Sequence, residues 1–363
     1  MYCWQDIRVS VAAGRRREEP GRGRPGPEAS MNVAMWGKAI RLVPRLSKEE
    51  WANLDIISRW LIAARAAILA LTFIPAFIAG LLAARSEQFD IVLWLVWLVG
   101  LVMAHATNNM LNDLTDHWRG VEEGHNLRSQ YGPQPLADGL MSVPELLTYA
   151  MVTGLLAVAA GIYLVFARGG LGLLLIGLAV VFVMLYVNPP WRLDLSEVAV
   201  LTVWGPLMIG GGYYMITGQW QWPVVWTSLP VGLGVTTVIL GKHIDRLPAD
   251  RAQGLRTIPV WLGERRSALL GLGLMGLQYL VTVLLVAAGY FTVALLLVVV
   301  GLLALRQVAA VYRQPRPGSP PADYPADTWP LWYAAFAFYH NRRFTLLFVA
   351  GLVVDLALHY LVL

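Results

Sequence analysis

Polar side chains crowd the end of an apolar stretch in the first third of the chain. The stretch IVLWLVWLVGLVMA, residues 91–104, is followed by six of them: His105, Asn108, Asn109, Asn112, Asp113 and Asp116. Amides and carboxylates at the edge of hydrocarbon are costly and usually mark function. The i, i+4, i+8 spacing of Asn108, Asn112 and Asp116 predicts that these three share one helix face.

A second cluster of charge follows another apolar stretch more than a hundred residues later. The segment GKHIDRLPADRAQGLRTIPVWLGE supplies the carboxylates of Asp245 and Asp250 and the cations of Lys242 and Arg256. Carboxylates suit Mg²⁺, which proteins typically hold through one or two of them together with substrate phosphates. Two such loops facing each other could hold a diphosphate between metal ions and guanidinium groups. A diphosphate held in this way is a good leaving group, because charge developing on its bridging oxygen is stabilised.

The rest of the chain predicts what must position these loops. The 363 residues are 57% hydrophobic and 14% charged, and the apolar residues fall in blocks of about 20, the length that crosses about 30 Å of hydrocarbon. We predict an all-α integral membrane protein of about nine transmembrane helices. They lie at about 60–84, 91–112, 145–167, 171–188, 197–217, 223–242, 267–289, 291–312 and 343–363. The single cysteine, Cys3, excludes a disulfide and a cysteine metal site within the chain.

The distribution of Lys and Arg predicts the topology. Between successive predicted helices, these residues fall almost entirely in the even-to-odd connections, whereas Arg85 and Arg168 lie on the opposite side. The positive-inside rule then places the N-terminus and both acidic loops in the cytoplasm, most simply at a bacterial inner membrane. The excess of basic residues therefore reflects membrane topology. Membrane lipids are expected to surround the helices. Nucleic acid is not predicted as a partner, because no basic patch is interleaved with stacking aromatics.

Three regions follow from composition. Residues 1–35 read as a disordered basic tail, since GRRREEPGRGRPGPEAS cannot bury a core. Residues 36–58 form an interfacial helix region, where Ser47 and Glu50 have the spacing of a capping box. Residues 59–363 form the transmembrane domain. Within it, the Pro-rich segment 313–330 predicts a flexible surface connection, and WPLWYAAFAFYHNRR predicts an interfacial helix before the last crossing.

The two loops resemble the paired Asp-rich motifs of the UbiA superfamily of intramembrane prenyltransferases. The first motif is commonly NDxxDxxxD, and here Asn112, Asp113 and Asp116 are followed by Gly120 and Glu122. This is similar to the NDxxDxxxGxD version of the branch that prenylates dihydroxynaphthoate in menaquinone synthesis, and Asn108 also fits that branch. The second motif is commonly DxxxDxxxGxxT. DRAQGLRT, residues 250–257, matches its second half, whereas Asp245 precedes Asp250 by five positions instead of four.

A third match to the superfamily lies in YVNPPWRLDLSE, residues 186–197, where the family has YxxPPxxL and a basic residue that helps to hold diphosphate. Arg65 also stands where the family often carries an arginine. The resemblance implies a helical bundle around a substrate cavity that opens laterally to lipid. It also implies Mg²⁺-dependent transfer of an isoprenoid group from a prenyl diphosphate to a small aromatic or lipid-precursor acceptor, most simply a quinone precursor.

The resemblance also assigns roles to the residues. Catalysis falls to Asn112, Asp113, Asp116 and Asp250. Two Mg²⁺ ions are expected on Asp113, Asp116, Glu122, Asp245 and Asp250. The diphosphate is expected on Arg65, Arg128, Arg192, Lys242 and Arg256. The prenyl cation and the acceptor are expected near Asn108 and Tyr186, the latter through cation–π contact.

Two other functions are compatible with a multi-span helical protein. A transporter predicts a pair of broken helices at the membrane midplane in two similar halves, whereas the charged residues here lie at helix ends. A non-catalytic membrane partner protein is less favoured, because NDLTD, residues 112–116, is intact. His105 and His243 read as helix-end polar residues, since no HxxxH or HxxE pattern accompanies either.

Overall fold

Fourteen α-helices, joined in two places by helical segments of other types, make up the computed structural model. It describes residues 31–41, 44, 46–118, 134–187, 196–325 and 328–362, with the side chains of 183–187 and 362 left out of the description. The predicted tail therefore lies outside it up to residue 30, while residues 33–35 already belong to the first helix. Within the described ranges the regular structure is entirely helical.

Three short helices precede the first crossing: α1 (Val33–Arg41), α2 (Lys48–Ala52) and α3 (Ile56–Ala63). The predicted capping box at the start of α2 is confirmed. The Ser47 hydroxyl accepts from the Glu50 N–H at 3.2 Å, and the Glu50 carboxylate accepts from the Ser47 N–H at 2.7 Å. The N-cap Asp55 then begins α3.

The Asp55 carboxylate ties α1 to α3. It accepts hydrogen bonds from the Asn32 N–H at 3.2 Å, the Trp36 indole N–H at 3.0 Å and the Ser58 N–H at 2.9 Å. Burial opposes ionisation of Asp55, but the hydrogen bonds outweigh it and hold the pKa of this carboxyl well below its ordinary value. The ionised carboxylate is therefore what fixes the helices before the first crossing.

Replacing Asp55 with asparagine should release α1 from α3 at neutral pH. Because the folded-state pKa is lowered, the contribution of Asp55 to stability is present above its unfolded pKa, about 3.9, and is lost as the pH falls through the folded value. The difference in thermal stability between wild type and Asp55→Asn should thus shrink below about pH 4. Trp36 fluorescence in detergent would follow the release, and a difference independent of pH would contradict this role.

Membrane-crossing length and composition are found in eight helical segments of the described chain. The elements that form them are α4 (Ala66–Arg85), α5 (Ile91–Trp118), α6 (Val143–Val187), α7 (Ser196–Thr202) with α8 (Gly212–Thr217), α9 (Trp222–Asp245), α12 (Glu264–Ala287), α13 (Leu302–Tyr312) and α14 (Tyr333–Val362). A π-helical stretch, Val203–Gly211, joins α7 to α8, and a 3₁₀ stretch, Val293–Gly301, leads into α13.

Helix α6 contains two crossings. Its 45 residues are about twice the length that hydrocarbon needs, and Gly169 interrupts it with φ 70° and ψ −152°. Glycine adopts this backbone conformation without a steric penalty. Counting α6 twice gives nine crossings in the described chain, so the all-α fold of about nine transmembrane helices is confirmed.

Helix α9 lies at the centre of the bundle. Of the most apolar 18 residues of α9, 78% are buried, against 22% for α5 and 17% for α6. Glycines allow its neighbours to approach closely: a Cβ added to Gly241 would lie 2.8 Å from the Ala334 nitrogen of α14. Close helix contact through small residues is usual in membranes. The two short helices α10 (Leu247–Ala252) and α11 (Ile258–Leu262) follow α9 in the second acidic loop.

Three boundaries differ from the sequence prediction. Helix α5 runs on to Trp118 instead of ending near residue 112, so Asp113 and Asp116 are helical as well. The predicted interfacial helix at 329–343 is instead the first part of α14, and its Tyr333, Phe336 and Ala337 are buried in the core. The first predicted crossing is broken at Arg65, between α3 and α4. In each case packing against neighbouring helices overrides the local pattern.

Candidate active site

The first acidic cluster lies on the last turns of α5. Its buried stripe is Asn109, Asp113 and Asp116, spaced i, i+4, i+7. Asn108 and Asn112 are half-buried beside this stripe. The predicted face of Asn108, Asn112 and Asp116 is thus rotated slightly. Asn109 belongs to the polar cluster named from the sequence, but the motifs assign it no role.

Asp113 joins three parts of the chain. Its side chain is 2% exposed and lies 3.8 Å from the Arg65 guanidinium, measured from Oδ1 to Nη2. Its other oxygen accepts from the Leu136 N–H at 3.4 Å. Asp113 therefore connects the end of α5 with the start of α4 and with the segment that follows the first loop.

Arg65 reaches Asp113 because the chain breaks there. Its backbone is left-handed, with φ 54° and ψ 55°, a conformation that costs a non-glycine residue roughly 1 kcal/mol or more. The amide of Asn109 donates to the Ala64 carbonyl at 2.9 Å and so satisfies a backbone oxygen beside the break. Such strain persists only where the surroundings enforce it, and it clusters at functional sites.

The second acidic cluster lies in the loop after α9. Asp250, on α10, is 1% exposed, and its Oδ1 lies 3.4 Å from the Arg246 Nε. Lys242 is half-buried on the last turn of α9, while Arg256 is exposed near the start of α11. The structure therefore brings Arg246 to Asp250 as it brings Arg65 to Asp113, a pairing that the sequence left open.

Asp245 differs from the other acidic residues. Its carboxylate accepts from the backbone N–H groups of Trp332, Tyr333 and Ala334, each at 3.0 Å. These groups begin α14, so Asp245 caps that helix. Both carboxylate oxygens of Asp245 accept from backbone N–H groups, and its role as a metal ligand stays a prediction. The five-residue spacing between Asp245 and Asp250 is the sequence feature that sets Asp245 apart from the family motif.

Glu197 and His243 form a buried pair beside the second cluster. The His243 Nδ1 lies 3.0 Å from a Glu197 carboxylate oxygen, and the two residues join α7 to α9. Both are less than a tenth exposed. The reading of His243 as a helix-end polar residue is compatible with this pair, but 46 positions separate the partners, so sequence reasoning did not join them.

Four predicted site residues cannot be placed by their side chains. Glu122 and Arg128 lie in 119–133 and Arg192 lies in 188–195, all outside the described residues. Tyr186 lies on α6, and its side chain is also outside the description. The assignments of these four stay predictions.

The two clusters lie on the same side of the bundle. Helix α5 is the second crossing and α9 is the sixth, counting α6 as two, so both helices end at the same membrane face. Among the described residues, no three Asp, Glu, His or Cys side chains converge closely enough to hold a metal by themselves. Buried carboxylates on each loop, each next to an arginine, fit a Mg²⁺ ion whose other ligands are phosphate oxygens. The site suits an anionic, metal-bound substrate at the end of a membrane bundle.

The fold and this site define a multi-pass helical membrane enzyme with paired acidic loops at one face. The sequence from residue 72 to residue 337 matches the UbiA prenyltransferase family. The chain belongs to that family and is a prenyltransferase.

Two curated relatives and one solved structure extend the comparison. A 2-carboxy-1,4-naphthoquinone phytyltransferase from Synechocystis sp. is 25% identical over 230 residues, 61% of this chain and 72% of the relative. A 1,4-dihydroxy-2-naphthoate octaprenyltransferase from Haemophilus influenzae is 24% identical, and the match spans 51% of this chain and 62% of the relative, less than two thirds of its length. A UbiA homologue from Aeropyrum pernix K1, solved in its apo form, superposes with a TM-score of 0.57 at 18% identity, over 79% of this chain and 98% of that one. That likeness supports the fold.

Proposed function

We propose that this prenyltransferase moves an isoprenoid group from a prenyl diphosphate to a small aromatic acceptor, a quinone precursor, in a Mg²⁺-dependent reaction. The observation that carries the proposal is the repeated arrangement of a buried carboxylate beside an arginine at one membrane face: Asp113 with Arg65, and Asp250 with Arg246. Carboxylates recruit the metal, and the cations grip phosphate oxygens.

The residues divide into two sets. Asp113, Asp116 and Asp250 would hold Mg²⁺, with Glu122 as a further predicted ligand, and two ions are expected from the pair of clusters. Arg65, Lys242 and Arg256 would hold the diphosphate, together with Arg128 and Arg192. Bound Mg²⁺ would neutralise charge on the diphosphate, and the diphosphate would then be a better leaving group.

The remaining steps depend on the charge and the arrangement of the protein's own side chains. Breaking the C–O bond to the bridging oxygen leaves an allylic cation and a diphosphate, whose charge Arg65 and Lys242 stabilise. The acceptor then attacks the cation through carbon or oxygen and gives up a proton. Asn108 and Tyr186 would orient the acceptor and shield the cation, and Asn112 would support the Mg²⁺ site. The prenyl chain would lie among the apolar helices in a cavity that opens laterally to lipid.

The choice of acceptor rests on the relatives. The proteins from Synechocystis sp. and H. influenzae carry naphthoquinone and dihydroxynaphthoate in their names, and the first motif resembles the same branch. Both support a bicyclic aromatic acceptor. The Lys and Arg distribution supports an orientation with the site in the cytoplasm.

Purified protein in detergent should transfer a labelled geranylgeranyl group from its diphosphate to 1,4-dihydroxy-2-naphthoate, with a lipid-soluble product separated by chromatography. EDTA should abolish the transfer and excess Mg²⁺ should restore it. Geranylgeranylglyceryl phosphate offered as a competing acceptor tests the acceptor class. Transfer to that lipid alone would overturn the aromatic assignment, and transfer that survives EDTA would overturn the metal dependence.

A further inference from the structure

Asp245 holds the N-terminus of α14. The first N–H groups of a helix have no partner within the helix, and the Asp245 carboxylate accepts from three of them, on Trp332, Tyr333 and Ala334, at 3.0 Å each. A negative charge at this end is also stabilised by the helix dipole. Asp245 and these partners are 87 to 89 positions apart, so the contact joins distant parts of the fold.

Arg316 completes this connection. Its guanidinium lies 3.9 Å from the Asp245 carboxylate and donates to the Asp245 carbonyl at 3.2 Å and to the Pro330 carbonyl at 2.6 Å. It also lies over the Trp329 ring, 4.8 Å from its centroid. These contacts attach the Pro-rich segment to the end of α9 at Arg316.

His243 and Asp245 lie on different faces of α9. Residues two apart on a helix point in nearly opposite directions, whereas residues three apart share a face. His243, which contacts Glu197, thus points away from the direction of Asp245. The Asp245 side chain is 0% exposed, among α14 and the Pro-rich segment.

We propose that Asp245 is a positioning residue and not a metal ligand. It fixes the end of α9 to α14 and to Arg316. Asp250 is then the carboxylate that the described part of this loop contributes to the metal site. This last assignment rests on the proposed function, whereas the positioning role of Asp245 does not.

Four variants in detergent separate the two roles: Asp245→Asn, Arg316→Gln, Asp250→Asn and, as a matched control, Arg313→Gln, whose arginine is exposed in the same segment. Asparagine at 245 would turn one acceptor oxygen into a donor facing backbone donors. Two quantities are measured: the melting temperature without ligand, and the Mg²⁺ concentration that half-saturates the thermal shift given by geranylgeranyl diphosphate.

We expect Asp245→Asn and Arg316→Gln each to lower the ligand-free melting temperature by about 4 °C or more, with the Mg²⁺ half-saturation within about twofold of wild type. Asp250→Asn should keep the melting temperature within about 2 °C and raise the half-saturating Mg²⁺ at least about tenfold. Arg313→Gln should change neither quantity.

The opposite pattern for Asp245→Asn, an unchanged melting temperature with a tenfold higher Mg²⁺ requirement, would overturn the proposal. If Asp245→Asn does not fold, Arg316→Gln decides, because it keeps the carboxylate and removes its partner. A wild-type protein with no Mg²⁺-dependent shift would count against the proposed function alone, since the ligand-free melting temperatures still test the positioning role.

Discussion

Asp113→Asn should reduce prenyl transfer at least about 100-fold and leave the protein folded. Asparagine has the same size, so the contact with the Leu136 N–H can persist, but the charge that would bind Mg²⁺ and face Arg65 is lost. Loss of a metal-site carboxylate commonly costs about 10- to 100-fold or more in affinity or activity. The measurement is kcat/KM for geranylgeranyl diphosphate over a Mg²⁺ series, which should show a higher Mg²⁺ requirement.

Asp323→Asn is the matched control for this prediction. Asp323 lies in the Pro-rich segment on the same side of the bundle, and its side chain is exposed. Its change should leave kcat/KM within about twofold of wild type. Transfer by Asp113→Asn at the wild-type rate, with an unchanged Mg²⁺ requirement, would falsify the metal assignment on α5.

Gly241→Ala should destabilise the bundle by about 1–3 kcal/mol, the usual range for overpacking. A Cβ at this position would lie 2.8 Å from both the Ala334 nitrogen and the Tyr333 carbonyl carbon. Since both atoms are backbone, α9 and α14 must separate. The separation occurs one turn from Asp245, so the α14 cap should weaken as well. Thermal unfolding in detergent measures the loss.

Gly276→Ala on α12 gives the opposite expectation. A Cβ there would meet no atom within 4 Å, and alanine is favoured over glycine inside a helix by roughly 0.5–1 kcal/mol. The change should therefore be neutral or slightly stabilising. Equal destabilisation by the two substitutions would mean that helix packing does not determine the effect at Gly241.

Much of this arrangement was predictable because its signals are local. The apolar blocks gave nine crossings, and Ser47 with Glu50 predicted the capping box. The acidic residues also predicted two loops at one membrane face, since Asp113 and Asp250 each follow a long apolar run. Local spacing is enough for these features, because hydrophobic length and capping depend on neighbouring residues.

The remaining features depend on contacts between distant residues. Nothing near Arg65 in sequence indicates a left-handed break, which is supported by Asn109 from another helix. The pair Glu197 and His243 and the cap at Asp245 likewise join separate helices. The five-residue spacing of Asp245 and Asp250 did mark a departure, but only the position of α14 gives that departure a physical meaning.

The anchoring of α14 limits how this enzyme can admit a lipid-borne substrate. Asp245 holds its first turn, and near its other end the buried Asp355 carboxylate binds Arg85 at 2.7 Å and the Thr292 N–H at 2.6 Å. A piston-like movement of α14 would break both attachments at once. Helices α5 and α6 are the least buried of the described crossings, with 22% and 17% of their most apolar 18 residues buried. We therefore expect α14 to keep its position when a prenyl chain enters. The helices that move to admit the chain are expected to be α5 and α6.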